Sequence, residues 1–85
     1  MYRSIPIWRR LSEDKAVRYS CFEDLETGEF CVQSADFFAL PIEANMLAYA
    51  DVQFVELFIE EDPRERCEWF VSIEDAILGH IKKFS

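Results

Sequence analysis

The 85 residues suffice for a single domain, residues 1–85, in which 51% of positions are hydrophobic and eight are Phe. A formal charge of −8 argues against nucleic acid as a partner, because affinity for phosphate backbones depends on basic side chains. No stretch approaches the roughly 18 uninterrupted apolar residues of a membrane-spanning helix. A chain this short buries only roughly 60–65% of its unfolded surface, so this apolar share predicts exposed apolar surface and hence a protein partner or self-association.

The segment "MYRSIPIWRRL" has no apolar core of signal-peptide length and is interrupted by Arg3, Pro6, Arg9 and Arg10; a cytoplasmic location is expected. Residues 2–11 alternate as a strand, with Ile5, Ile7 and Leu11 on one side and Ser4, Trp8 and Arg10 on the other. Pro6 cannot donate to a ladder, which puts this strand at a sheet edge. After the turn "SEDK", the segment "AVRYSCFEDL" predicts a second strand with Val17, Tyr19 and Cys21 on one face. The "LETG" turn, with Gly28 at a positive-φ position, leads into a third strand over about 29–35. Simple alternation there puts Phe30 and Val32 on one face and Cys31, Gln33 and Ala35 on the other, with Cys21 opposite Gln33.

Pro41 ends that strand and can open a helix. Over 42–62 the Gln53, Glu56 and Glu60 spacing gives one thin polar stripe on an otherwise apolar helix, with a break expected near Asp51. In "DPRE", Asp62 and Pro63 read as cap and first position of a helical turn. Residues 67–71, "CEWFV", can form a short fourth strand or an extended connector, with Trp69 expected between the last helix and the sheet. "SIEDAILGHIKKF" is a helix capped by Ser72, with acids at its positive end and His80, Lys82 and Lys83 at its negative end. The predicted fold is α+β: a three-stranded antiparallel meander packed against helices from the C-terminal half.

Chemistry has few places to sit. "EFCVQSADFFAL" gathers Cys31, Gln33, Ser34 and Asp36, but a nucleophile needs a base in reach. The single histidine, His80, falls on the polar side of the last helix, where it is expected to be solvated. Cys21 and Cys31 read as small apolar core residues. The three cysteines have no zinc-type spacing and no pairing across the hairpin, so reduced thiols are expected. Glu60, Glu61 and Asp62 would diverge around a helix rather than converge on a cation, and two distant glycines make no phosphate loop. No catalytic residue, metal or cofactor is expected.

What remains is surface. "IWRRL" puts Trp8 and Arg10 on one face, residue types that often anchor interfaces. Together with Phe54, Leu57 and Phe58 of the apolar helix they form the candidate interaction surface. The expected function is a non-enzymatic protein-interaction module, self-associating as a homodimer. Residues 19–62 contain eleven acids and no Lys or Arg, which gives an alternative: an acidic inhibitor of immunity or antitoxin type, directed at a basic protein. A third alternative, a Cys-dependent enzyme, requires a thiol in a cleft near His80. "GEFCVQSADFF" and "QFVELFIEEDPRERCEWFVSIEDAI" resemble a group of short uncharacterised bacterial proteins over about residues 19–78. The resemblance implies a bacterial, cytoplasmic origin and brings no activity, ligand or site residue with it.

Overall fold

The computed structural model describes residues 1–84. Three strands, β1 (Tyr2–Arg10), β2 (Lys15–Asp24) and β3 (Phe30–Ala39), form an antiparallel meander in the order β1-β2-β3. Three helices follow, α1 (Ala44–Glu60), α2 (Pro63–Arg66) and α3 (Ile73–Phe84). The fold is α+β.

β2 is the central strand and supplies most of the core. Its odd-numbered residues Val17, Tyr19 and Cys21 are buried beneath Ile5 and Ile7 of β1, Val32 and Ala35 of β3, and Ile73, Ile77 and Ile81 of α3. The opposite face carries Phe22, whose ring stacks on Phe54 (5.5 Å) and packs on Phe58 (5.2 Å), both from α1. Each face of the sheet therefore meets a different helix. The chain reaches the second face by passing around the free edge of β3. There the Phe70 N–H and carbonyl exchange bonds of 2.8 Å with those of Phe30, and this single bridge replaces a regular fourth strand. Gly79 of α3 gives the Phe70 ring its room: a Cβ at position 79 would lie 2.5 Å from the ring.

β3 departs from simple alternation. Ser20 pairs with Ser34, but Cys21 then pairs with Val32, so Gln33 is an extra residue in a β-bulge. Val32 thereby shares the α3 side with Ala35. Cys31 pairs with Phe22 instead of joining the Cys21 face, and the expected pairing of Cys21 with Gln33 is lost. The strand also runs four residues beyond 35, because Asp36 to Ala39 keep pairing with Arg18 to Lys15. Leu11 lies outside β1. The hairpin between β2 and β3 turns at Gly28, with φ of 74° and its N–H donating to the Asp24 carbonyl at 2.7 Å.

α1 is continuous through Asp51. At that point Arg18 reaches from the sheet to both Asp51 (3.1 Å) and Asp36 (3.3 Å). α2 opens on Asp62, whose carboxylate accepts the Arg64 N–H at 2.9 Å, and buried Pro63 occupies its first turn. α3 opens on Ser72, whose Oγ accepts the Asp75 N–H at 3.1 Å. Trp69 serves α2 and β1 instead of α3. Its indole N–H donates to the Pro63 carbonyl at 3.2 Å, and its ring stacks on Tyr2 at 5.8 Å.

Candidate interaction surface

α1 faces the sheet with Ala50, Phe54 and Leu57, the only helix positions that are buried or half-buried. Phe58 also leans inward on Tyr2 (6.0 Å) and Phe22. At 100° per residue, the side turned directly away carries Ala48, Val52, Val55 and Ile59. These residues are spaced 4, 3 and 4 apart, the a/d repeat of a helix–helix seam. All four are exposed, Val52 to 54%, Val55 to 51% and Ile59 to 75%. Tyr49 and Glu56 flank the seam on one side, Asp51 and Phe58 on the other. Gln53, Glu56 and Glu60, the polar stripe, occupy only a narrow sector beside it. α1 thus has two apolar faces, of which the domain covers one.

The total surface agrees with that picture. A folded monomer of this chain's mass, 10.1 kDa, exposes roughly 5,300 Å², whereas this chain exposes 5904 Å². The excess, roughly 600 Å², approaches the ~800 Å² per partner that a standard interface buries. Further exposed apolar side chains, Phe37 and Leu40 among them, lie around the start of α1.

The other residues expected in an interaction surface are placed as follows. Trp8 is exposed, its ring 5.9 Å from Phe38 with the Arg18 guanidinium 5.8 Å away. Trp8 and Arg10 line a shallow hollow of about 350 Å³ with Phe38, Leu40, Ile42 and Leu47. It lies at the N-terminal end of α1. Phe54, Leu57 and Phe58 are on the inner side of the helix. They attach α1 to the sheet, while Val52, Val55 and Ile59 point outward. The wide apolar sides of the helix were legible in the sequence. Which side the sheet would take was not, because both are apolar.

Six of the eleven acids of 19–62 are engaged within the domain. Glu23 pairs with Arg3 (2.6 Å), and Arg64 holds Glu29 (2.5 Å) and Asp24 (3.5 Å). Arg18 takes Asp36 and Asp51, and Asp62 accepts the Tyr2 hydroxyl. That hydrogen bond, with burial and the neighbouring carboxylates adding to it, pushes the Tyr2 phenol up to about 12; the same bond, and then the Arg64 N–H, hold Asp62 below the usual carboxylate range. Three arginines, Arg3, Arg18 and Arg64, thus tie five of these acids into the fold.

A second feature is a cavity of about 250 Å³ between α2, α3 and the edge of β3, lined by Gln33, Arg66, Cys67, His80, Lys83 and Phe84 among others. His80 is not solvated as its helical position implies. It is half-buried, with its ring against Tyr19 (6.0 Å) and Phe84 (4.7 Å). Burial, and then the Lys83 charge, hold its imidazole below its ordinary value. Cys31 is fully buried; the thiol that shares a cavity with His80 is Cys67. Sequence spacing gave no sign of this site, because its residues come from three separated segments.

Among the described residues no three His, Cys, Asp or Glu side chains cluster to hold a metal ion, and no helix is long and apolar enough to cross a membrane. Comparison with protein-family models, curated proteins and solved structures gives no match.

Proposed function

We propose that this protein is a non-enzymatic interaction module that self-associates through the outer face of α1. The observation that carries it is the exposed Ala48, Val52, Val55, Ile59 seam, turned away from a domain that already exposes more surface than its mass requires. Charge selects the orientation. In a parallel pair the flanking positions bring Asp51 beside Glu56 of the second copy, a like-charge contact. In an antiparallel pair Asp51 falls beside Phe58, and Glu56 beside Tyr49. Turned about a two-fold axis between Val52 and Val55, the seam is self-complementary. Val52 meets Val55 of the second copy, and the larger Ile59 meets the smaller Ala48. Such a contact is isologous and closes as a dimer.

Sedimentation at micromolar concentration tests it. Wild type sediments as a dimer, while Val52→Glu, on an exposed site, keeps its circular dichroism and sediments as a monomer. Leu78→Glu, on the exposed side of α3, remains dimeric. In a Cys67→Ser background, Val52→Cys mixed with Val55→Cys forms a disulfide-linked pair more readily than either variant alone. A wild type that stays monomeric overturns self-association. A dimer indifferent to Val52→Glu overturns the assignment to α1.

A further inference from the structure

The three cysteines are not equivalent. Cys21 lies in the core, its thiol donating to the Tyr19 carbonyl at 3.8 Å. Cys31, on the other face because of the bulge, is fully buried and lies within hydrogen-bonding reach of Cys67. Cys67 is half-buried and opens on the cavity between α2 and α3. The pair therefore consists of one cysteine that lines the cavity and a second that is buried and does not.

The cavity suits a small polar oxidant. Arg66 and Lys83 line it; the hydrogen bond from Cys31 first, and then these two charges, favour the Cys67 thiolate against the opposing effects of burial and the Glu61 carboxylate. Cys31 moves the other way, raised by its bond to Cys67 and by burial. Two polar atoms of lining residues are buried without a protein partner: Nη1 of Arg66, a donor, and Oε1 of Gln33, an acceptor. Gln33 is itself only 6% exposed. Hydrogen peroxide is a small polar oxidant, and a cavity of about 250 Å³ with Arg66 and Lys83 in its wall gives it room beside Cys67.

We propose that Cys67 and Cys31 form a peroxide-reactive dithiol in which Cys67 is oxidised first and Cys31 resolves it to an intramolecular disulfide. The Cys67 thiolate attacks one peroxide oxygen, the O–O bond breaks, and hydroxide leaves to take up the proton that the thiol released. This gives a sulfenic acid on Cys67. The Cys31 sulfur then attacks the Cys67 sulfur, the S–O bond breaks, and the departing hydroxide takes the Cys31 proton. Two thiols and one peroxide become one disulfide and two waters, with two electrons passing from sulfur to peroxide. The bond would tie β3 to the segment between α2 and the Phe70 bridge.

The test is stepwise oxidation of the folded chain with hydrogen peroxide, read by thiol titration and peptide mapping. Wild type loses two thiols per chain and yields a Cys31–Cys67 linked peptide, with Cys21 still free. Cys31→Ser stops at a Cys67 sulfenic acid that a dione reagent traps. Cys67→Ser loses no thiol at the same dose. Arg66→Gln slows the Cys67 reaction several-fold, because it removes one of the positive charges that favour the thiolate. If Cys67 oxidises no faster in the folded chain than in urea, or the linked peptide joins two chains, the proposal is overturned. The Val52→Glu monomer gives the same outcome as wild type, which separates this chemistry from the association of α1.

Discussion

Gly79→Ala should destabilise this protein, although the same exchange in an isolated helix stabilises it. Gly79 lies in the middle of α3, where replacing Gly by Ala ordinarily gains about 1 kcal/mol. Here the added Cβ would meet the Phe70 ring at 2.5, 3.1 and 3.3 Å. The first of these distances requires the ring or the helix to move. Overpacking of that kind costs about 1–3 kcal/mol, so the net loss is about 1 kcal/mol, or roughly 4–8 °C in Tm for a domain of this size. Phe70→Leu removes the obstructing ring atoms. In that background Gly79→Ala should recover its helical gain and raise stability by about 1 kcal/mol, a coupling of about 2 kcal/mol. Urea denaturation of the four variants at one fixed protein concentration measures the cycle, since association would otherwise shift the midpoints. If Gly79→Ala stabilises both backgrounds equally, the Phe70 ring does not rest on Gly79, and the seating of the Cys67 segment described above is wrong.

Val17→Ala, at a fully buried site in the central strand, should cost about 2 kcal/mol; a loss below about 0.5 kcal/mol would contradict the core assigned to β2. Asp62→Asn should return the Tyr2 phenol from about 12 towards its ordinary 10, read by ultraviolet titration, and an unchanged titration would refute the Tyr2–Asp62 bond. His80 is held below its ordinary pKa in the folded state, so the unfolded chain binds the extra proton first. Its contribution to stability is present above about pH 6.5, falls as the pH drops through that value, and levels off below the lower folded pKa. His80→Phe should therefore lose less stability than wild type between about pH 7.5 and about pH 5 in urea midpoints, and equal losses would place the ring in water.

Most of the fold was legible because each local signal had a local cause. Gly28 turns a hairpin through its positive φ, Asp62 and Ser72 cap the helices that follow them, and the i, i+3, i+7 spacing of Gln53, Glu56 and Glu60 separates helix from strand despite β-branched neighbours. The misread features depend on tertiary partners. An extra residue at Gln33 leaves no mark in an alternating run, yet it moves Cys31 to the opposite face. His80 looks solvated on a helical wheel because the wheel does not contain Tyr19, whose ring it meets across the packed layer. Trp69 has an apolar ring that could serve either neighbour, and the choice of α2 is made by the Pro63 carbonyl accepting its N–H. The Cys67 cavity was invisible for the same reason, being assembled from β3, the end of α2 and the last turns of α3.

The bulge at Gln33 joins the two halves of the functional picture. A regular strand would have kept Cys31 on the α3 side with Cys21, away from its bonding position with Cys67. The extra residue shifts Cys31 across the sheet and leaves the Gln33 amide with two separate tasks. Its Nε2 donates to the Phe54 carbonyl at 3.2 Å, on the inner side of α1, while its Oε1 is buried without a protein partner and the residue lines the cavity. One residue is thus bonded to the helix that carries the proposed association seam and also lines the cavity beside Cys67. A disulfide between Cys31 and Cys67 would fix the strand immediately beside that amide. Its effect on α1 is transmitted through a single hydrogen bond, whose net worth is typically about 1 kcal/mol. Oxidation should therefore adjust the affinity of the proposed α1 contact modestly, and it should leave intact the dimer proposed to form on the apolar seam.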